Sequence, residues 1–143
     1  MIELTPTTFP HFLKRFNDLH DALVRVVTFR FGPREKIASV IVSAQDTEAD
    51  KVSNWVNIRF EMLGVTDLVL REGLGKTCVV IFKMNIGFMA GNIYLDFSPW
   101  SEAPVGIEDY RKSDFLIVAR RCSWCVLPYA DTIDVEEFGG HST

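Results

Sequence analysis

Two cysteines near the end of the chain have a spacing that occurs in redox and zinc sites. Cys122 and Cys125 are separated by two residues, and the sequence holds no second cysteine pair to complete a set of four zinc ligands. The redox form of this motif lies at the start of a helix, whereas here it falls inside an extended apolar run. Residues three apart on a regular strand point to opposite faces, and a bulge would be needed to bring the thiols together. We therefore expect two separate, buried cysteines and no metal or cofactor.

Gly75, Lys76 and Thr77 resemble the end of a phosphate-binding loop. That motif needs a glycine five residues before Gly75, where Leu70 stands, and a helix afterwards whose N-terminus holds the phosphate. A run rich in β-branched residues follows instead. The sequence favours a simple turn at this position.

His20 and Asp21 are a histidine and a carboxylate side by side, the pair from which a catalytic base is built. A base and the group that orients it must converge, whereas sequence neighbours entering a strand diverge. The chain also lacks the Gly-x-Ser-x-Gly motif that would present a nucleophile. We expect His20 to be a junction residue bonded to the backbone, and we assign no catalytic residue.

The longest predicted loop, residues 99–112, is the best candidate for a binding site. It carries two aromatic residues of the kind that anchor interfaces, and several acidic ones. The predicted partner-binding residues are Trp100, Glu102, Asp109 and Tyr110. The alternative is that Trp100 folds back as a lid on the core.

The stretch 77–98 is predicted to be the central hairpin of a sheet, since side chains alternate between the two faces of a strand. Turn residues Gly87, Gly91 and Asn92 lie between its two runs. The residues predicted to face the core are Cys78, Val80, Phe82, Met84, Ile93, Leu95 and Phe97. Those predicted to face the wetter side are Tyr94, Asp96 and Ser98.

The other elements follow from the same patterns. A short helix begins after Thr7 or Thr8, and one apolar stripe of Phe9, Phe12, Leu13 and Phe16 would pack on the sheet. Further strands are predicted at 21–31, 37–44, 53–62, 65–71 and 113–127, with a turn at Gly64 between the third and the fourth. In the 53–62 strand, the residues predicted to face the core are Val56, Ile58, Phe60 and Met62.

These elements predict a mainly β chain: an antiparallel sandwich or barrel of about 6–7 strands with one short N-terminal helix. Its 143 residues fit a single domain, 1–143, in which residues 128–143 form a loosely ordered acidic tail.

The composition excludes some classes of function. A net charge of −4 argues against general binding to nucleic acid or to an anionic membrane, although a local basic patch is compatible with it. No stretch approaches the roughly 20 apolar residues that span a bilayer. Three cysteines, an odd number, and the lack of a signal-peptide pattern favour free thiols in the cytoplasm.

Three short patterns resemble those of small bacterial β-rich proteins of unknown function, a group that includes immunity proteins encoded beside polymorphic toxins. The first is Phe16-Asn-Asp-Leu-His-Asp-Ala22 before a strand, and the second is Trp55-Val-Asn-Ile-Arg-Phe60 followed by Gly64-Val65. The third is Ser113-Asp114-Phe115, which opens a strand ending near Trp124. The resemblance implies a bacterial β-rich domain and carries no catalytic residue with it.

The sequence thus favours a non-enzymatic domain that binds a protein partner, with an immunity-type inhibitor of a toxin as one form of that function. The alternative is a small-molecule-binding barrel whose cavity is lined by inward residues such as Phe82 and Phe97. An enzyme is the third reading, and a homo-oligomer is left open.

Overall fold

The computed structural model describes residues 1–49, 54–73 and 78–128. Within these residues there are two helices, α1 (Phe9–Arg15) and α2 (Ile107–Arg111), together with a short 3-10 turn at Asn17–Leu19. The strands are β1 (Ile2–Glu3), β2 (Ala22–Phe31), β3 (Lys36–Gln45), β4 (Trp55–Leu70), β5 (Val80–Ile81), β6 (Asn85–Met89), β7 (Asn92–Asp96) and β8 (Phe115–Val126).

Seven strands form one antiparallel sheet in the order β5-β2-β3-β4-β8-β7-β6, and β1 pairs with the end of β8. The two edge strands, β5 and β6, are joined by residues 82–84 alone. Seven flat strands would be about 29 Å wide, whereas this connection spans at most about 14 Å. The sheet therefore curls into the half-barrel that is observed, which confirms the predicted mainly antiparallel β class with a short N-terminal helix.

The main core lies on the inner face of this half-barrel, under α1. Phe12 and Phe16 pack on Trp124 with ring centroids 5.1 and 5.3 Å apart. Phe12 also meets Phe60 at 5.4 Å, and Phe60 meets Phe97 at 5.7 Å. These five aromatic side chains are at most 3% exposed. The helix therefore fills the interior that the curled sheet leaves.

Most of the predicted elements are confirmed. The helix and the strands at 21–31, 37–44 and 113–127 are present with small shifts at their ends. Thr8 holds the N-cap position of α1, but its hydroxyl makes no capping bond and donates instead to the carbonyl of Glu3 (2.7 Å). Pro10 lies in the first turn, where a missing N–H costs little.

The predicted central hairpin is half wrong. The strand that forms the hairpin with β7 is β6, and Ala90 and Gly91 turn between them with positive φ. The short β5 pairs with β2 instead. Phe82 is 77% exposed and Val80 is 39% exposed, so neither faces the core. The run 78–84 crosses from one edge of the sheet to the other. Its alternating apolar residues therefore do not form a strand with one buried and one exposed face.

The predicted turn at Gly64 is also wrong, because β4 runs through it without a break. Gly64 has a φ of +67°, and the register with β8 shifts between Val65 and Asp67. A Cβ at Gly64 would collide with the side chain of Arg120. A glycine with positive φ suits a bulge as well as a turn, and here it kinks one long strand.

Two predictions fall outside the described residues. The stretch from Gly75 to Thr77 lies in the gap at 74–77, and all of the predicted acidic tail beyond Pro128 lies in 129–143.

Candidate functional site

The segment 99–112 folds back over the outer face of β7 and β8. On β7, Tyr94 is 5% exposed and Asp96 is 1% exposed, so the prediction that these two residues face water is wrong. Tyr94 packs on Tyr110 of α2 with ring centroids 4.8 Å apart. A second, smaller core forms here on the outer face, and its buried members are Tyr94, Tyr110, Leu116 and Val118.

The position of Tyr110 depends on a glycine in β6. A Cβ built on Gly87 would collide with the hydroxyl and ring of Tyr110. The tyrosine therefore reaches over the backbone of β6 at a point where no side chain stands. Gly87 was predicted as a turn residue, and its role in the structure is this close approach.

A buried carboxylate lies beside the tyrosine pair. The N–H of Ser98 donates to Asp96 Oδ1 at 3.2 Å, and the hydroxyl of the fully buried Ser113 also bonds to Asp96. Burial raises the pKa of Asp96 to about 6, and these two hydrogen bonds oppose the rise. Burial and the nearby Asp96 also raise the pKa of Tyr110. Ser98 and Ser113 flank the segment, so Asp96 ties together its two ends.

Further polar contacts fix the segment to the sheet. Asn85 Nδ2 donates to the carbonyl of Ser101 at 3.0 Å, and Arg71 Nη1 donates to the carbonyl of Ser113 at 2.7 Å. On α2, Arg111 Nε lies 3.2 Å from Asp67 Oδ2. The underside of the segment is thus held at several separate points along its length.

The upper side of the segment is rich in exposed apolar side chains. Val105 is 90% exposed, Trp100 is 68% exposed and Ile107 is 40% exposed. Polar groups lie between Trp100 and Val105: Lys112 Nζ lies 5.7 Å from the centre of the Trp100 ring and 3.8 Å from Asp109 Oδ1. The N–H of Val105 donates to Asp109 Oδ2 at 3.0 Å. We call this set, with the exposed Glu102 and Glu108, the loop surface.

The four predicted partner-binding residues have different positions in this arrangement. Trp100 and Glu102 are exposed on the loop surface, whereas Asp109 is partly buried and bonds to the backbone of its own loop. Tyr110 is 6% exposed and supports the loop from below. The alternative in which Trp100 covers the core is wrong, because its side chain is 68% exposed.

Sequence reasoning missed Val105, Gly87 and Asp96. Val105 lies between two turn-forming residues, Pro104 and Gly106, and that context was the available signal for an exposed apolar tip. Nothing in the sequence alone pairs Gly87 with Tyr110, since they belong to elements far apart in the chain.

The predicted backbone bond of His20 is confirmed, but the expectation that the side chains of His20 and Asp21 diverge is wrong. His20 Nδ1 lies 2.7 Å from the carbonyl oxygen of Phe82, to which it donates a hydrogen bond, and its Nε2 lies 3.6 Å from Asp21 Oδ2. Both side chains are more than half exposed. The bond joins the start of β2 to the connection between β5 and β6.

The two cysteines lie on opposite faces of β8, as predicted. Cys122 is paired with the buried Met62, and Cys125 is paired with the exposed Arg59. Burial raises the pKa of the Cys122 thiol, which keeps it protonated and unreactive. Both thiols are free.

Within residues 1–49, 54–73 and 78–128, no group of three or more His, Cys, Asp or Glu side chains is arranged to hold a metal ion. No helix among these residues is long and apolar enough to cross a membrane. Comparison of the chain with protein-family models, with curated proteins and with solved structures found no match.

Proposed function

We propose that this chain is a protein-binding domain whose contact site is the loop surface. The observation that carries the proposal is that the segment 99–112 exposes apolar side chains to solvent while its opposite side is fixed to the sheet. Trp100, Val105 and Ile107 face solvent on a segment whose opposite side is anchored by Tyr110 and Asp96. Apolar side chains gathered at one exposed site are a common feature of interaction surfaces.

Rigidity is the second support. A loop that orders only on binding loses conformational entropy, whereas a loop already held in place loses less. Buried Tyr110 and the bonds from Asn85, Arg71 and Arg111 hold this segment in the free chain. A partner would therefore meet a preformed patch with a tryptophan at its edge, and tryptophan is enriched among residues that dominate binding energy.

Charge indicates the kind of partner. Glu102 and Glu108 are exposed, and no ion pair to either is formed within the described part of the chain. These two exposed carboxylates would favour a partner with a basic contact face and would speed its association at low salt. An immunity-type inhibitor that blocks a basic toxin is one role that this chemistry suits.

The other sequence-based reading, a barrel that binds a small molecule, loses one of its two named lining residues. Phe82 is exposed, and Phe97 packs between Phe60 and Phe115 at 5.7 and 4.7 Å. The interior at this point is filled by aromatic rings.

The test begins with a photo-crosslinking amino acid at Val105, the most exposed apolar position, in cells that contain the natural partner. The captured protein is then titrated against the unmodified chain and against Trp100→Ala. We expect Trp100→Ala to weaken binding at least about tenfold, since truncating an interface anchor often costs about 2 kcal/mol. The thermal midpoint should move by less than about 2 °C, because the Trp100 side chain is 68% exposed.

Phe31→Ala is the matched control, since Phe31 is 78% exposed and lies in the β2–β3 hairpin away from the segment. It should leave binding unchanged. Equal weakening by both variants, or no weakening by Trp100→Ala, would show that the partner binds elsewhere.

A further inference from the structure

The outer side of β2, β3 and the first half of β4 is a second surface with a different chemistry. Three arginines project from it, Arg25 and Arg30 on β2 and Arg59 on β4, and all three are exposed. Glu61 is the one acidic residue within β2, β3 and residues 55–63 of β4. We call this surface the arginine face. It is set apart from the loop surface, which covers β7 and β8.

Arg25 is held in place by a hydrogen-bonded row across three strands. Its Nε donates to Ser43 Oγ at 3.0 Å, and the Ser43 hydroxyl donates to Asn57 Oδ1 at 2.5 Å. Ser43 is opposite Asn57 in the register of β3 and β4. The row uses one of the five N–H groups of Arg25, so the fixed guanidinium still offers donors to a ligand.

Arg30 and Arg59 lie at a shallow cleft on the same face. Its lining includes the hydroxyls of Thr28 and Ser39 and the carboxylate of Glu61. Within the described residues no ion pair involves Arg30 or Arg59, in contrast to Arg15, which is paired with Asp46 at 2.9 Å. Two arginines and two hydroxyls beside one carboxylate leave an excess of donors for an anionic group.

We infer that the arginine face is a docking site for an acidic peptide segment of a partner protein, with side-chain carboxylates bound by Arg30, Arg59 and Arg25. Charge complementarity carries this choice of occupant, because guanidinium groups bind carboxylates in a bidentate manner. A long nucleic acid fits less well. No aromatic ring among the described residues lines the cleft for bases to stack on.

The experiment uses the full chain and a short polyglutamate peptide, followed by amide chemical shifts in two-dimensional NMR. We expect the largest shifts at Ser39, Ser43 and Arg59, with binding that weakens as salt rises from about 0.05 M to about 0.5 M. Arg30→Ala/Arg59→Ala should weaken binding about tenfold or more, since two charge-assisted hydrogen-bonding groups are lost.

Lys14→Ala/Lys83→Ala is the matched control, because it removes the same charge from exposed positions outside the arginine face. It should bind the peptide nearly as tightly as the unmodified chain. Equal loss in both double variants would mean that net charge alone attracts the peptide, and the inference would be wrong.

Two other outcomes would also overturn the inference. One is tighter, arginine-dependent binding of a single-stranded DNA oligonucleotide than of the peptide, which would make the face a nucleic-acid site. The other is an arginine-dependent dimer of the chain without peptide in sedimentation, which would make the occupant a second copy. Arginine-dependent binding of the peptide by a monomer, more tightly than of the oligonucleotide, supports it.

Discussion

The two faces of β7 and β8 are buried by different means. On the inner face, Leu95 and Ile117 join a large apolar core completed by α1. On the outer face, Tyr94 and Val118 lie in a cluster with four buried members, next to a buried carboxylate. Both faces exclude water. The inner face is covered by the apolar side chains of the main core, whereas the outer face is covered by the folded-back segment 99–112, which polar contacts hold in place. The difference shows that a strand can be buried on both faces even when apolar and polar residues alternate along its sequence.

Apolar burial stabilises in proportion to area, so the inner core should dominate the free energy of unfolding. The outer cluster is smaller and lies beside Asp96, whose burial has a free-energy cost of its own. It should contribute less to global stability and more to the local order of residues 99–112.

The largest effect is expected for Phe60→Ala on the inner face. Phe60 is fully buried against Phe12 and Phe97, and its truncation should reduce the free energy of unfolding by about 3–5 kcal/mol. Urea denaturation measures the loss. Phe82→Ala is the comparison, because Phe82 is 77% exposed and should lose less than about 1 kcal/mol. Similar losses in the two variants would contradict the assignment of the inner face.

A smaller effect is expected for Gly87→Ala under the outer cluster. The new methyl group would collide with the Tyr110 hydroxyl and cost about 2 kcal/mol, with faster hydrogen exchange in residues 99–112. Gly73→Ala is the control, since nothing lies near its Cβ position. Tyr110→Phe removes the colliding oxygen, so the double variant should recover part of the loss. A fully additive double variant would mean that the tyrosine is not the obstacle.

The sequence predicts an element of this structure well when that element is determined by neighbouring residues, and poorly when it is determined by distant strands. Helix α1 and strands β2, β3 and β8 follow from side-chain periodicity, which is a local property. The exposure of Phe82 and the pairing of β5 with β2 follow from the closure of the half-barrel, which is set by distant strands. Periodicity cannot show which edge of a sheet a short apolar run will join.

The candidate site was predictable in outline and not in detail. Composition predicts the long loop, but it does not decide whether Trp100 is exposed or covers the core, and the structure shows it exposed. The burial of Tyr110 and Asp96 depends on the loop folding back over Gly87 of β6, a contact between segments that the sequence does not link. Tyr110 lies in a charged run and Asp96 alternates with Leu95 and Phe97, so both are predicted to be exposed until that contact is known.

The third and smallest effect concerns the pH dependence of the outer cluster, through Asp96→Asn. The pKa of Asp96 is raised from 3.8 to about 6 by burial, so the folded chain holds this proton more tightly than the unfolded chain. The contribution of Asp96 to stability is therefore complete below about pH 4 and is lost as pH rises to about pH 6. Asparagine keeps a carbonyl oxygen for the N–H of Ser98 and has no charge to bury.

We expect Asp96→Asn to raise the free energy of unfolding by about 1–2 kcal/mol near pH 8, and by much less near pH 4. This gain is below the full linkage value, because the new amide nitrogen replaces an acceptor oxygen. Urea denaturation of both proteins across this pH range measures the difference. Asp46→Asn should show the opposite sign, since the hydrogen bond from Arg15 lowers the pKa of Asp46 and its contribution is present above the unfolded pKa. A loss of stability in Asp96→Asn that is the same at both ends of the range would mean that Asp96 acts through its hydrogen bonds alone. Protonation of Asp96 would then contribute nothing to the stability of the outer cluster. The outer cluster would differ from the inner core only in size.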